Sequence, residues 1–240
     1  MLKQRSGSEA DMPTGGDYSG ILDNRAYRVL PAALTPLDPP YTLLAWATYD
    51  DMLSNRVLIS VCDNSKTGNF SVSYIGCRTS GQISATSYDD AGAQNSALWV
   101  SSPALGTPFF AAAVFAATNS RSIVVNGDVA NKVINTGARV VTGVNQITLG
   151  CRVNVSTQFP HDGLFFQAAA VNKALSDAEI VALNKGMSPL EFGNACFMLV
   201  DSFGLSPLLD LVAGPFTSGS TPPSPVSNSG MTNLHHDWGV

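Results

Sequence analysis

The strongest constraint on this chain is a succession of short runs rich in Val, Ile, Phe, Tyr and Thr, each closed by a turn signal. The runs cover residues 27–30, 41–49, 56–62, 70–77, 82–88, 109–117, 122–125, 146–152 and 164–172. Asp63-Asn64-Ser65, Thr79-Ser80-Gly81, Asn126-Gly127-Asp128 and Asp162-Gly163 separate them. Runs of this length and composition are strands, and Asn-Gly suits a two-residue hairpin because both positions tolerate positive φ. Many such strands predict an all-β fold, a two-sheet antiparallel sandwich. Ala111-Ala112-Ala113, Ala116-Ala117 and Ala168-Ala169-Ala170 lie inside two of the runs. Ala has little strand propensity of its own, so these stretches are expected on central strands held by neighbours on both sides.

Composition narrows the function classes. Only 13% of the 240 residues are charged, against about 25% in an ordinary soluble domain. Polarity is carried instead by 26 Ser, 16 Thr and 16 Asn, which favour turns and strands over helix interiors. A net charge of −5 with scattered Lys and Arg excludes an electrostatic grip on nucleic acid. No apolar stretch of about 18 residues is present to span a membrane as a helix. Residues 1–9 have no apolar region behind their basic residues, so the expectation is synthesis in a host cytoplasm without a secretory signal. The sequons at Asn69 and Asn154 are then chance matches. Cys62, Cys77, Cys151 and Cys196 are widely spaced in apolar contexts and read as buried small hydrophobes rather than disulfides or zinc ligands.

One helix is legible. Ser176-Asp177-Ala178-Glu179 is a capping box, Ile180 and Leu183 with Ala182 form a buried stripe, Lys185 suits the C-terminal dipole, and Gly186 suits a left-handed stop. Residues 195–201 read as a last core strand and 208–216 as a further strand or edge segment. The polar, Gly-rich residues 1–26 read as an extended N-terminal arm. Residues 27–216 form the sandwich, and 217–240, with Pro222, Pro223 and Pro225, form a Pro/Ser-rich tail.

Specific motifs carry a resemblance. Tyr41-Thr42-Leu43-Leu44-Ala45-Trp46 is similar to an early strand of laminin-G-like and pentraxin-like domains, which belong to the concanavalin A-like lectin/glucanase jelly rolls. Ile123-Val124-Val125-Asn126-Gly127 resembles their hairpin, and Ile147-Thr148-Leu149-Gly150 the strand that follows. The stretch 162–171 leading into Ala174-Leu175-Ser176-Asp177-Ala178-Glu179-Ile180 resembles their Gly-initiated strand and helix start. Thr107-Pro108-Phe109-Phe110 stands where many relatives place a Trp. The resemblance implies a concanavalin A-like jelly roll with the helix lying across one end.

Candidate sites are few. Glycosidases of this superfamily need two carboxylates across the scissile bond, and the three Glu, at 9, 179 and 191, lie on no strand beside a second acid. The expectation is no enzyme, no catalytic residue and no cofactor. His161 precedes a turn, and His235-His236-Asp237 lies in the tail without further positioned ligands. Calcium, which the resemblance suggests, has only the loop acids Asp50, Asp51, Asp89 and Asp90, with Asp63-Asn64, and Asp and Asn are also ordinary turn residues. Trp99, in what reads as a long loop over 95–103, is the candidate glycan contact, while Trp46 on an alternating strand reads as core.

The arms weigh most in the choice of function. With no carboxylate pair and two long polar termini, the reading is a virion structural protein, a bacteriophage capsid decoration (cement) protein. It would dock on capsid proteins and copies of itself through arm residues Tyr18, Ile21, Leu22, Leu234, His235 and Trp238. The low charge then fits a surface covered by neighbours. The alternative is a glycan-binding tail-fibre or receptor-binding module. Neither needs nucleic acid or a membrane.

Overall fold

The computed structural model describes residues 16–17, 26–30, 37–66, 70–153, 157–159, 161–200, 209–210, 214–215 and 217–218. They form two antiparallel seven-stranded sheets. Sheet I runs β1 (Gly16–Asp17), β14 (Leu164–Val171), β3 (Tyr41–Ala47), β8 (Phe109–Ala117), β9 (Ser120–Val125) and β10 (Val133–Asn135), with β15 (Cys196–Val200) also on β14. Sheet II runs β18 (Thr217–Ser218), β2 (Ala26–Val29), β11 (Gln146–Leu149), β4 (Arg56–Cys62), β5 (Val72–Cys77), β6 (Ile83–Tyr88) and β7 (Gln94–Leu98). Two short hairpins stand apart: β12 (Arg152–Val153) with β13 (Thr157–Gln158), and β16 (Leu209–Asp210) with β17 (Gly214–Pro215).

The Ala-rich strands are central, as their composition demands. Across sheet I, Ala168 pairs with Ala45 and Ala45 with Ala111, and all three sit in the inter-sheet core. Small side chains on this sheet leave room for Ile59, Ile75, Ile83 and Ile147 from sheet II in the same cluster. Phe109 and Phe110 point to opposite faces of sheet I. Phe109 stacks on Tyr49 in the core at 5.5 Å, and Phe110 meets Trp46 at 4.4 Å on the outer face. Trp46 is therefore half-buried on the outside of sheet I rather than in the inter-sheet core.

The outer face of sheet I is apolar at Leu44, Phe110, Val124 and Ala169, and such a face needs a cover. Helix α1 (Asp177–Asn184) supplies it with Ile180 and Leu183, so it packs on the sheet's outer face instead of across one end. Burying each of these side chains contributes about 1.5–3 kcal/mol. Its first turn is the expected capping box: Ser176 Oγ accepts from the Glu179 amide, and the Ser176 amide donates to Glu179 Oε2 at 2.8 Å. Gly186, at φ 97°, turns the chain away.

Two readings change. Residues 94–98 form edge strand β7, paired along β6, where a loop was expected. Gln-Asn-Ser-Ala-Leu has weak strand propensity, and the pairing imposed by β6 overrides it. The run over 146–152 breaks at Gly150, at φ 69°, so β11 ends at Leu149 and Arg152 begins the separate β12 hairpin. Pairing also reaches into the segments read as arm and tail. Gly16–Asp17 joins β14, and Thr217–Ser218 joins β2. All four cysteines are buried.

Candidate functional site

The pleat decides what sheet II shows to the outside. Ile59, Ile75, Ala85 and Ala97 point into the core, so their neighbours Ser60, Tyr74, Thr86 and Ser96 point out. Register then sets Thr148 opposite Ser60, Ser60 opposite Tyr74, Tyr74 opposite Thr86, and Thr86 opposite Ser96. The result is an unbroken row of hydroxyls across β11, β4, β5, β6 and β7. Beside it, Cys62, Val72, Tyr88 and Gln94 form a second row, and Gly76, Ser84 and Leu98 a third. Gly76 is a steric requirement, because a Cβ there would lie 2.2 Å from the Arg56 carbonyl oxygen.

The two ends of the hydroxyl row differ. On β11 and β4 it is roofed by the chain after Gly150. Thr148 Oγ1 donates to the Cys151 carbonyl at 2.8 Å, and the fully buried Arg152 guanidinium lies 4.6 Å from the Phe159 ring and 5.5 Å from that of Tyr88. Burial pushes the Tyr74 phenol up to about 12. On β7 the row ends in the half-buried Ser96, flanked by the half-buried Gln94 of the second row and by the half-buried Arg78, which follows β5.

Hydrogen bonding there runs one way. Ser84 Oγ donates to the Gly76 carbonyl at 3.2 Å and Thr86 Oγ1 donates to Ser84 Oγ at 3.1 Å. Thr86 has thereby used its single proton, so in the 2.8 Å contact with Thr86 it is Ser96 that donates. Ser96 Oγ in turn accepts from Arg78 Nη2 at 2.5 Å and Gln94 Nε2 at 3.0 Å, and Gln94 Oε1 accepts from the Tyr88 hydroxyl at 2.8 Å.

The residues singled out from sequence lie elsewhere. Trp99 is 5% exposed and packs in the inter-sheet core, its amide bonded to the Ile83 carbonyl at 2.8 Å. Its ring has no open face for a sugar, because β7 is a strand whose alternation turns it inward. Asp51 accepts from the Leu53 amide and from Arg56, which hold its carboxyl below the usual range. Asp50 donates its amide to the Asp162 carbonyl. Asp89 closes a turn by accepting from the Ala91 and Ala93 amides, and Asp90 accepts from Ser71 and Thr142. Among the described residues, no group of three or more His, Cys, Asp or Glu side chains comes together around a cation position. His161 is buried between Tyr49 and Phe165. Tyr18, Ile21, Leu22, Leu234, His235 and Trp238 lie outside the described residues. Arg78, Gln94 and Ser96 were not singled out from sequence. They left no signal of their own; the alternation of apolar residues with Ser, Thr and Tyr along Ile83-Ser84-Ala85-Thr86-Ser87-Tyr88 marked only the strand beside them.

The fold has relatives. A laminin-G family model, described as the concanavalin A-like lectin/glucanases superfamily, matches residues 22–181. The chain belongs to this superfamily. Solved structures share its jelly roll at low identity. The CBM40 domain of the Ruminococcus gnavus IT-sialidase, bound to α2,3-sialyllactose, aligns with TM-score 0.56 and 14% identity, over 72% of this chain and 97% of that one. The heptameric SAP-like pentraxin of Limulus polyphemus aligns with TM-score 0.53 and 10% identity, over 82% and 92%. Both likenesses establish the fold alone. No curated protein sequence matches the chain.

Proposed function

We propose that this jelly roll is a non-enzymatic saccharide-binding module whose ligand lies on the β6–β7 end of the hydroxyl row. The observation that carries the reading is the cluster of Arg78, Gln94 and Ser96 there, backed by Thr86 and Tyr88: dense polar groups on a rigid sheet. Amide, hydroxyl and guanidinium groups of this kind recognise sugar hydroxyls; Gln94 and Ser96 are positioned on β7, and Arg78, just past the end of β5, is held by its bond to Ser96. Among the described residues no strand carries two acids, so the paired carboxylates of a glycosidase are missing from the sheets. The CBM40 likeness, a sugar complex on the same fold, is consistent with a binding role.

A glycan array tests the reading. Wild-type protein is expected to retain a defined glycan set, and Gln94→Leu to lose it at unchanged melting temperature. Retention undiminished in Gln94→Leu would move the site off this face.

A second reading, a virion decoration protein held to capsid subunits and to copies of itself, draws on a different observation. Short pieces of the arm and tail already add to sheet edges, Gly16–Asp17 on β14 and Thr217–Ser218 on β2. Strand addition is the mode by which extended arms bind. If deleting residues 1–26 or 218–240 left particle binding and particle stability intact, this reading would fall.

A further inference from the structure

Resting on the saccharide-binding reading, we propose that the β6–β7 site selects an acidic saccharide, one carrying a carboxylate or sulfate oxyanion, with Arg78 as its anchor. Two independent observations lead there. The first is the polarity of the hydrogen bonds. The chain Ser96, Thr86, Ser84 passes its protons inward to the Gly76 carbonyl, while one lone pair of the Gln94 oxygen is taken by the Tyr88 hydroxyl. Ser96 Oγ has both lone pairs engaged, by Arg78 and by Gln94. Outward from this network the remaining capacity is mostly donor capacity: the second Gln94 N–H and most of the five guanidinium N–H groups of Arg78, against one remaining lone pair on the Gln94 oxygen. A surface with more free donors than free acceptors fits a ligand rich in acceptors.

The second observation is charge. Arg56 has Asp51 at 2.5 Å and Asp162 at 3.6 Å, and Arg139 has Asp89 at 3.8 Å. Arg121 is buried, with the Asn135 side-chain oxygen and the Gly137 and Thr118 carbonyls as acceptors. Arg78 donates to one neutral hydroxyl, and no carboxylate of the described residues forms an ion pair with it. A half-buried guanidinium without a counter-ion, in a chain of net charge −5, is a place for an anion supplied from outside. Its planar fork suits a carboxylate or a sulfate, and the Gln94 amide stands beside it for a neighbouring sugar oxygen.

The test uses an array of matched glycans that are neutral, carboxylated or sulfated, read with the whole protein, and with melting temperatures for every variant. The acidic members are expected to be retained over their neutral partners, and retention to fall as NaCl is raised. Arg78→Gln should lose acidic glycans by roughly tenfold or more, and Arg78→Lys should recover part of that loss. Preference for carboxylated over sulfated members, or the reverse, identifies the oxyanion. Equal retention of neutral and acidic glycans, unaffected by Arg78→Gln but abolished by Gln94→Leu, would overturn the acidic class and leave the sheet-face reading standing. Retention of no glycan at all would overturn both.

Discussion

The outer faces of the two sheets show how one sandwich divides labour. Sheet I turns Leu44, Phe110, Val124 and Ala169 outward and is sealed by Ile180 and Leu183 of α1. Sheet II turns outward a row of hydroxyls, from Thr148 to Ser96, with Arg78 and Gln94 at its end. An apolar face is stable only when water is removed from it, so the chain spends its helix there. A face whose polar groups bond one another needs no such apolar cover, and although its β11–β4 end is roofed by the chain after Gly150, its β6–β7 end is left half-buried. The position of α1 therefore marks the closed face, and on sheet II only the β6–β7 end of the row, at the half-buried Ser96, Gln94 and Arg78, is left open.

The largest expected effect tests the seal. Leu183→Ala removes a fully buried side chain from the contact between α1 and sheet I, with an expected loss of about 2–5 kcal/mol in chemical denaturation. Glycan retention by the folded fraction should be unchanged, and if it fell in step with stability the two faces would not be independent. The next effect belongs to sheet II. Thr86→Val keeps the shape but strips Ser84 of a donor and Ser96 of its acceptor, at an expected cost of roughly 1–3 kcal/mol. Here retention should fall as well, since Ser96 then no longer fixes Arg78 and Gln94. A stability loss without a binding loss would make the row purely structural.

The faces were unequally legible in the sequence. The closed face announces itself locally: Ser176-Asp177-Ala178-Glu179 and the Ile180/Leu183 stripe define α1 within a few residues. The open face is assembled from strands far apart in the chain, and nothing near Ser60 reveals that it stands opposite Thr148. The strand-forming runs themselves were visible, because hydrophobic alternation and turn chemistry are local. β7 was not, since Gln-Asn-Ser-Ala-Leu owes its conformation to β6, and Trp99 beside it was read as a loop residue for the same reason. Arg78 follows a strand and precedes a turn, a position with no local signature. Only the register brings it to Ser96.

The smallest effect separates the faces by pH. Lys173, bonded to Glu179 Oε1 at 2.6 Å, and then the Ser176 amide hold the Glu179 carboxyl below the usual Glu range. A depressed folded-state value means that the stabilising contribution is present above the ordinary Glu value of about 4.3 and is lost as the pH falls through the lower, folded-state value. Acid therefore loosens the first turn of α1, and with it the cover of sheet I. The hydroxyl row of sheet II contains no carboxylate to titrate there. Melting temperature should decline from about pH 5 downward, and Glu179→Gln should flatten that part of its decline while lowering stability by about 1 kcal/mol or less at neutral pH. An equal acid response in wild type and Glu179→Gln would place the acid-sensitive contact outside the helix cap, and the cap would then not be what holds the closed face shut.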